Sequence, residues 1–129
     1  VKVLAHAWLQ GVAVSLAAIR IRTGRTHQIR AHTAHIAHPT VCDGRYSASA
    51  TFSSDGGWCP RNFLHRNRLA FRDIRGMDVE AAAALPADLA RSLEEISSRD
   101  AQSASEVWRW VRGVGTQHWD GHTALTRKK

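Results

Sequence analysis

The segment 23–46 constrains the fold of this chain most, because it contains the change from extended to helical structure. Apolar residues alternate along 12–22 with one change of phase, which predicts a strand that has a bulge or is divided in two. The apolar spacing that follows predicts a helix over 26–37, with Thr26 as its cap. Pro39 ends this helix, because a proline pushes the preceding residue out of helical geometry.

A hairpin and a helix are predicted downstream. The segments 63–71 and 77–81 have the apolar alternation of half-buried strands, and Gly76 supplies the turn between them. A proline and an aspartate near the start of 86–97 favour a helix there.

Shorter segments complete the prediction. Residues 40–41 are interpreted as a short strand, 47–60 as a surface loop of small and polar residues, and 97–102 as a polar linker. The sequence of 103–106 fits a capping box that begins a last helix, and Gly113 fits its end.

The order of these elements predicts an α+β fold, with a mixed, mainly antiparallel sheet and flanking helices. The 129 residues suffice for one domain. The predicted strands are too few for a complete core, and we therefore expect exposed apolar surface that favours self-association. No run of about 18 apolar residues is present, which argues against a membrane-spanning helix.

Positive charge is concentrated in the first part of the chain. Residues 1–75 carry 11 basic and 3 acidic side chains, whereas 76–129 carry 7 and 8. Most of the cations are arginines, whose planar fork of donors suits phosphate. This charge favours a polyanionic partner, most simply a nucleic acid, although a solvated basic surface would have the same composition.

The segment 23–46 also raises three chemical alternatives. Its four histidines and Cys42 suggest a metal site, but they are spread around the helix, and no carboxylate or cysteine pair completes the set. Cys42 or Cys59 could be a nucleophile, but no neighbouring residue indicates that either thiol is activated. We expect both to be free thiols. Thr23-Gly24 beside Arg25 could bind phosphate, but the Lys-Ser/Thr ending of a nucleotide-binding loop is missing.

Residues 23–46, TGRTHQIRAHTAHIAHPTVCDGRY, closely resemble the signature of RNA pseudouridine synthases of the RluA type. Similar but shorter matches occur at 63–71 and 85–89, and the resemblance covers about residues 12–97. The sequence departs from the family pattern at Ala37 and Cys42, where glycine is usual. The matching residues of the signature are Thr23, Gly24, Arg25, Thr26, His27, Gln28, Ile29, Arg30, His32, His38, Pro39, Asp43 and Tyr46.

The resemblance implies that residues 1–97 are the C-terminal part of a pseudouridine-synthase catalytic domain. Residues 98–129, a helix and a basic tail, have no place in it. The catalytic aspartate of the family lies in an upstream segment that these 129 residues do not contain. We therefore expect the chain alone to be inactive.

The resemblance also implies the reaction and its partners. Uracil is detached from its ribose and rejoined through C5, in structured RNA such as tRNA or rRNA, without a cofactor or metal. The target nucleotide must leave the base stack to reach the pocket. An intracellular location and no membrane association are expected. The competing hypothesis is a non-catalytic RNA-binding module derived from the same fold.

Four residues are candidates for the site by this resemblance. Arg30 is expected to pair with the absent aspartate, lowering its pKa and fixing its orientation. Ile29 is expected to pack against the uracil face. Arg25 and His27 are expected to hold the loop or contact phosphate. Side chains interpreted as structural are Asp43, Tyr46 and His65.

Overall fold

A computed structural model describes residues 1–115, and all but the first two residues of the basic tail predicted over 114–129 lie outside this range. Strand β1 (Lys2–Leu9) forms an antiparallel hairpin with β2 (Val12–Ala18). The predicted strand over 12–22 is therefore present but ends early, because its pairing with β1 ends at Ala18. The bulge lies on β1, where the register shifts between Val3 and Ala5.

Strand β1 was not predicted from the sequence. Its inward side chains include the small Ala5 and Ala7, whereas the bulky Trp8 points outward and is exposed. The usual contrast between large buried and small exposed residues is thus inverted, and no strand pattern is visible.

The segment 97–102, predicted as a linker, instead begins with a short strand. Strand β5 (Ser97–Ser98) pairs antiparallel with β1, which makes a three-stranded sheet of order β2-β1-β5. Two serines have no strand signal of their own, and the partner strand determines their conformation.

Helix α1 spans Gln28–His35, a shorter range than the predicted 26–37. Thr26 is not its cap: His27 occupies the N-cap position with a φ of 53° and makes no capping hydrogen bond through its side chain. The helix ends before Pro39 acts on it, because Ala37 adopts a left-handed conformation with a φ of 63°. The N–H groups of Ala37 and His38 close the end on the carbonyls of the last turn, in the geometry of a Schellman motif.

The two segments after α1 differ from the prediction. Residues 40–41 form no strand and lead into a turn, and helix α2 (Ser49–Asp55) replaces half of the loop predicted over 47–60. Contacts that are distant in sequence hold α2: the Asp55 carboxylate accepts a hydrogen bond of 2.7 Å from the N–H of Cys42. Composition alone cannot reveal such an anchor.

The predicted hairpin is present as β3 (Arg68–Arg72) and β4 (Asp78–Ala82), although the first strand begins five residues later than expected. Asp73 closes the turn by accepting hydrogen bonds from the backbone N–H groups of Arg75 and Met77. Gly76 has a φ of 80°, as its position in the turn requires. The expectation of a half-buried strand is wrong, because every residue of β4 is exposed.

Two helices complete the described chain. Helix α3 (Ala87–Glu94) lies within the predicted 86–97, and α4 (Ala101–Val111) begins earlier than the expected capping box. The cap of α4 is Asp100, which accepts a hydrogen bond of 2.7 Å from the N–H of Ser103. Gly113 ends α4 with a φ of 72°, as predicted.

The core consists of two clusters, and α3 contributes one buried leucine to each. Phe63 and Leu85 contact both clusters and join them. Trp110 is buried in the first cluster, whereas Trp108 is 54% exposed on the same helix. The buried members of the first cluster are Ala5, Leu93, Val107 and Trp110. The buried members of the second cluster are Cys42, Cys59 and Leu89.

The architecture confirms the α+β class, with small antiparallel sheets and flanking helices. The division of the chain into residues 1–97 and 98–129 stays a prediction. In the structure, β5 and α4 pack on β1. No helix within residues 1–115 is long and apolar enough to cross a membrane.

Candidate functional site

Helix α1 and the turn after it bring Arg30 and Asp43 into a two-pronged ion pair. The Arg30 Nε donates to Asp43 Oδ2 at 2.7 Å, and Nη2 donates to Oδ1 at 2.6 Å. The Asp43 side chain is 0% exposed and that of Arg30 is 22% exposed. Among the seven ion pairs in residues 1–115, only this one has a fully enclosed carboxylate.

Asp43 is held by three further donors. Thr40 Oγ1 donates at 3.2 Å, and the backbone N–H groups of Arg45 and Tyr46 donate at 3.0 and 3.1 Å. The hydrogen bond from Arg30 and those from the two backbone groups outweigh burial, and they hold the pKa of Asp43 well below its ordinary value. The same hydrogen bond raises the pKa of Arg30. The pair therefore stays ionised at neutral pH.

Tyr46 connects this ion pair to the start of α1. The guanidinium carbon of Arg30 lies 5.3 Å from the centre of the Tyr46 ring, and that of Arg45 lies 5.9 Å away. The ring of His27 meets Tyr46 edge to face at 5.8 Å, and its Nδ1 lies 3.3 Å from the tyrosine hydroxyl. His27, Arg30, Asp43 and Tyr46 thus form one contiguous polar cluster, which we call the Arg30 cluster.

The other two candidates lie beside this cluster. Ile29 is half-buried on α1, next to Arg30, and its carbonyl accepts a hydrogen bond from Thr33. Arg25 is exposed on the loop before α1. Gln28 shapes that loop, since its Oε1 accepts from the N–H of Arg25 at 3.1 Å and from the Thr23 hydroxyl at 3.0 Å. The Arg25 side chain has no ion pair within residues 1–115 and stays outside the Arg30 cluster.

The histidines and thiols of this region are separate from the Arg30 cluster, apart from His27. His32, His35 and His38 are exposed, and no group of three metal-binding side chains comes together within residues 1–115. Cys42 and Cys59 are free, as predicted, and the structure also shows both to be buried. Burial raises the pKa of the Cys42 thiol, which disfavours the thiolate needed by a nucleophile.

Sequence reasoning assigns Asp43 only to the turn and thereby misses the partner that the structure gives to Arg30. A signal for this partner exists in the sequence, because Asp43 is the only acidic residue in positions 1–54. His65 has a structural contact, with its Nε2 3.1 Å from the carbonyl oxygen of Ala83.

Comparison with known proteins finds relatives over most of the described chain. A protein of Escherichia coli named ribosomal large subunit pseudouridine synthase D is 36% identical over 98 residues, which are 69% of this chain and 30% of that protein. A Mycobacterium bovis protein named as an uncharacterized RNA pseudouridine synthase is 40% identical over 84 residues, 64% of this chain and 27% of that protein.

A MATH and LRR domain-containing protein of Plasmodium falciparum is 46% identical over 59 residues, which are 46% of this chain but only 1% of that protein. No family model matches the chain, and no solved structure matches it either. The chain spans less than a third of the length of the relatives described above.

Proposed function

Because the chain belongs to the RluA-type family of RNA pseudouridine synthases, we propose that it forms the C-terminal part of a catalytic domain that isomerises uridine to pseudouridine in RNA. The observation that carries this proposal is the Arg30 cluster, which lies within the segment that resembles the family signature. The catalytic aspartate is supplied by a segment outside these 129 residues.

Arg30 is the residue through which this chain acts on that aspartate. A guanidinium has five N–H donors, and two of them are bound to Asp43. Its other three N–H groups make no hydrogen bond within residues 1–115, and the two-pronged contact with Asp43 fixes their plane. We propose that Arg30 orients the incoming aspartate and keeps it ionised.

The neighbours of Arg30 have supporting roles in this proposal. Ile29 packs against the face of the uracil, from a position adjacent to Arg30 on α1. His27 holds the loop through its contact with Tyr46. Arg25, exposed on the loop and without an ion-pair partner in residues 1–115, contacts phosphate.

The second candidate function is RNA binding without catalysis. The charge of the chain favours it equally well, because residues 1–54 have six basic side chains and a single, enclosed acidic one. The two functions differ in whether a protein that contains this chain also contains the aspartate-bearing segment. The two functions therefore predict different turnover but the same RNA binding.

The proposal is tested with the Arg30→Ala substitution in a protein that joins this chain to the aspartate-bearing segment. Pseudouridine formation is measured together with the dissociation constant for the same RNA. We expect turnover to be abolished and RNA affinity to be largely retained, because Arg30 acts on the reacting carboxylate. Arg91→Ala, which removes an exposed arginine from α3, is the matched control and should leave turnover unchanged. Normal turnover by Arg30→Ala would refute this role, and RNA binding without turnover in the unsubstituted protein would favour the second function.

A further inference from the structure

The surface of the first 54 residues contains no exposed carboxylate. Asp43 is the only acidic residue in this range, and its side chain is fully enclosed and bound to Arg30. Nothing within the range can therefore neutralise the other cations. The next acidic residue, Asp55, uses its carboxylate to accept the N–H of Cys42.

Three exposed arginines lie within six consecutive residues of this surface, on the segment 19–27 between β2 and α1, which we call the β2–α1 loop. They are Arg20, Arg22 and Arg25, and none of them has an ion-pair partner within residues 1–115. The arginines of the β3–β4 hairpin contrast with them. Hairpin pairs are Arg68–Glu80, Arg72–Asp78 and Arg75–Asp73.

The loop is attached to the helix that carries Arg30. Gln28, the first residue of α1, accepts hydrogen bonds from the Thr23 hydroxyl and from the N–H of Arg25. These contacts fix the loop beside the start of α1. An RNA strand bound along the loop would therefore extend toward the Arg30 cluster. A loop whose backbone is already held loses little backbone freedom when its arginines bind phosphate.

We infer that the β2–α1 loop is a phosphate-binding surface that holds the RNA backbone next to the Arg30 cluster. This inference rests on the proposed function, and it names the residues that contact the substrate outside the reacting nucleotide. RNA is favoured over an acidic protein because the loop runs directly into the helix whose site is proposed to act on RNA, and the forked donors of its arginines match phosphate oxygens. Binding releases counterions, and the affinity therefore depends steeply on salt.

The test compares two triple variants of the 129-residue chain that remove equal charge. Arg20→Gln/Arg22→Gln/Arg25→Gln changes the β2–α1 loop, and the matched control changes the hairpin arginines. Affinity for a uridine-rich single-stranded RNA is measured by fluorescence anisotropy over a range of salt concentrations. The control substitutions are Arg68→Gln, Arg72→Gln and Arg75→Gln.

Three lost phosphate contacts should reduce the slope of log K against log salt by about 2, which corresponds to a loss of about 100-fold in affinity at 0.1 M salt. The hairpin control should keep the slope of the unsubstituted chain, because its arginines are bound to carboxylates. Circular dichroism establishes that the loop variant is folded. If the triple variant is unfolded, the single substitutions Arg20→Gln and Arg22→Gln should each reduce the slope by about 0.7.

Equal effects of the two variants would overturn the inference, since net charge alone would then explain binding. It would also be overturned if the unsubstituted chain did not bind the RNA, or if it bound polyglutamate or anionic vesicles more tightly with the same dependence on the loop. These results are separate from turnover. RNA binding without loop dependence leaves the proposed function intact, whereas loop-dependent binding by a protein that never forms pseudouridine removes only the enzymatic proposal.

Discussion

At the scale of single residues, Asp43 is the position that gives the site its geometry. It accepts from both prongs of Arg30, from one hydroxyl and from two backbone N–H groups. Any carboxylate that approaches Arg30 therefore meets a cation whose charge is already compensated. The electrostatic attraction is weaker than that of a lone arginine, and the orientation of the donors is better defined.

Replacing Asp43 with asparagine should destabilise the fold by about 2 kcal/mol, because Arg30 then lacks a counter-charge at a partly enclosed position. Urea unfolding at neutral pH measures this loss. Asp78→Asn, at an exposed carboxylate that also pairs with an arginine, is the control and should cause no measurable change. An Asp43→Asn chain as stable as the unsubstituted one would contradict the account.

The same pair predicts a pH dependence. Because the pKa of Asp43 is lowered in the folded state, its stabilising contribution is complete above its unfolded pKa of about 3.9 and is lost as the pH falls toward the folded value. The difference in unfolding free energy between the unsubstituted chain and Asp43→Asn should therefore be constant from about pH 5 to 7 and shrink at lower pH. A difference that grew on acidification would have the wrong sign.

Ala37 is a residue whose side chain makes its left-handed backbone conformation unfavourable. Its φ of 63° costs an L-residue about 1–2 kcal/mol, and glycine avoids this cost but loses about 0.5–1 kcal/mol of chain entropy. Ala37→Gly should therefore stabilise the chain by about 0.5–1 kcal/mol. Ala34→Gly, inside the same helix, should destabilise it by about 1 kcal/mol, and thermal unfolding of both variants distinguishes the two signs. If Ala37→Gly destabilised the chain as Ala34→Gly does, the left-handed conformation of Ala37 would not be strained.

At the scale of elements, helices and strands with their own periodicity were predictable, and those that depend on partners were not. The leucines of α3 repeat at helical spacing and indicate the helix directly. Strand β5 exists only because it pairs with β1, and α2 is held by the Asp55–Cys42 contact. Caps were the least predictable detail, because Asp100 and not Ser103 begins α4.

The β3–β4 hairpin has one charged face and one apolar face. Arg68 and Glu80 form an ion pair on the charged face. On the other, Phe71 is paired with Val79 in register beside Leu69, and all three are exposed. The alternation therefore separates an apolar from a charged face, but β4 is not half-buried, because nothing within residues 1–115 covers the apolar face.

This face should make the chain self-associate. Leu69→Thr/Phe71→Thr should shift the sedimentation coefficient toward that of the monomer, with little loss of stability because both side chains are already exposed. Ala70→Thr, on the charged face, is the control and should leave self-association unchanged. The expectation fails if the double variant associates as strongly as the control over the same range of concentrations.

At the scale of the whole molecule, the site and most of the core lie in different parts of the chain. The Arg30 cluster belongs to residues 27–46, whereas α3 and α4 supply Leu89, Leu93 and Trp110 to the two core clusters. The connection between them includes a backbone hydrogen bond of 2.9 Å from Phe63 to the carbonyl of Val41. The sequence selects the site candidates from one short segment, and their roles stay predictions. Their partners could not be predicted, because these depend on how the turn after α1 folds back.

The central claim is that this chain supplies the Arg30 side of a pseudouridine-synthase site and lacks the nucleophile. Forming pseudouridine replaces the C5–H bond of uracil with a bond to the ribose, and release of tritium from RNA labelled at C5 of uridine therefore reports turnover directly. We expect no release above background from the 129-residue chain alone, and release once the chain is joined to the aspartate-bearing segment. Release by the chain alone would contradict the account, and Asp43 would then be the first carboxylate to replace.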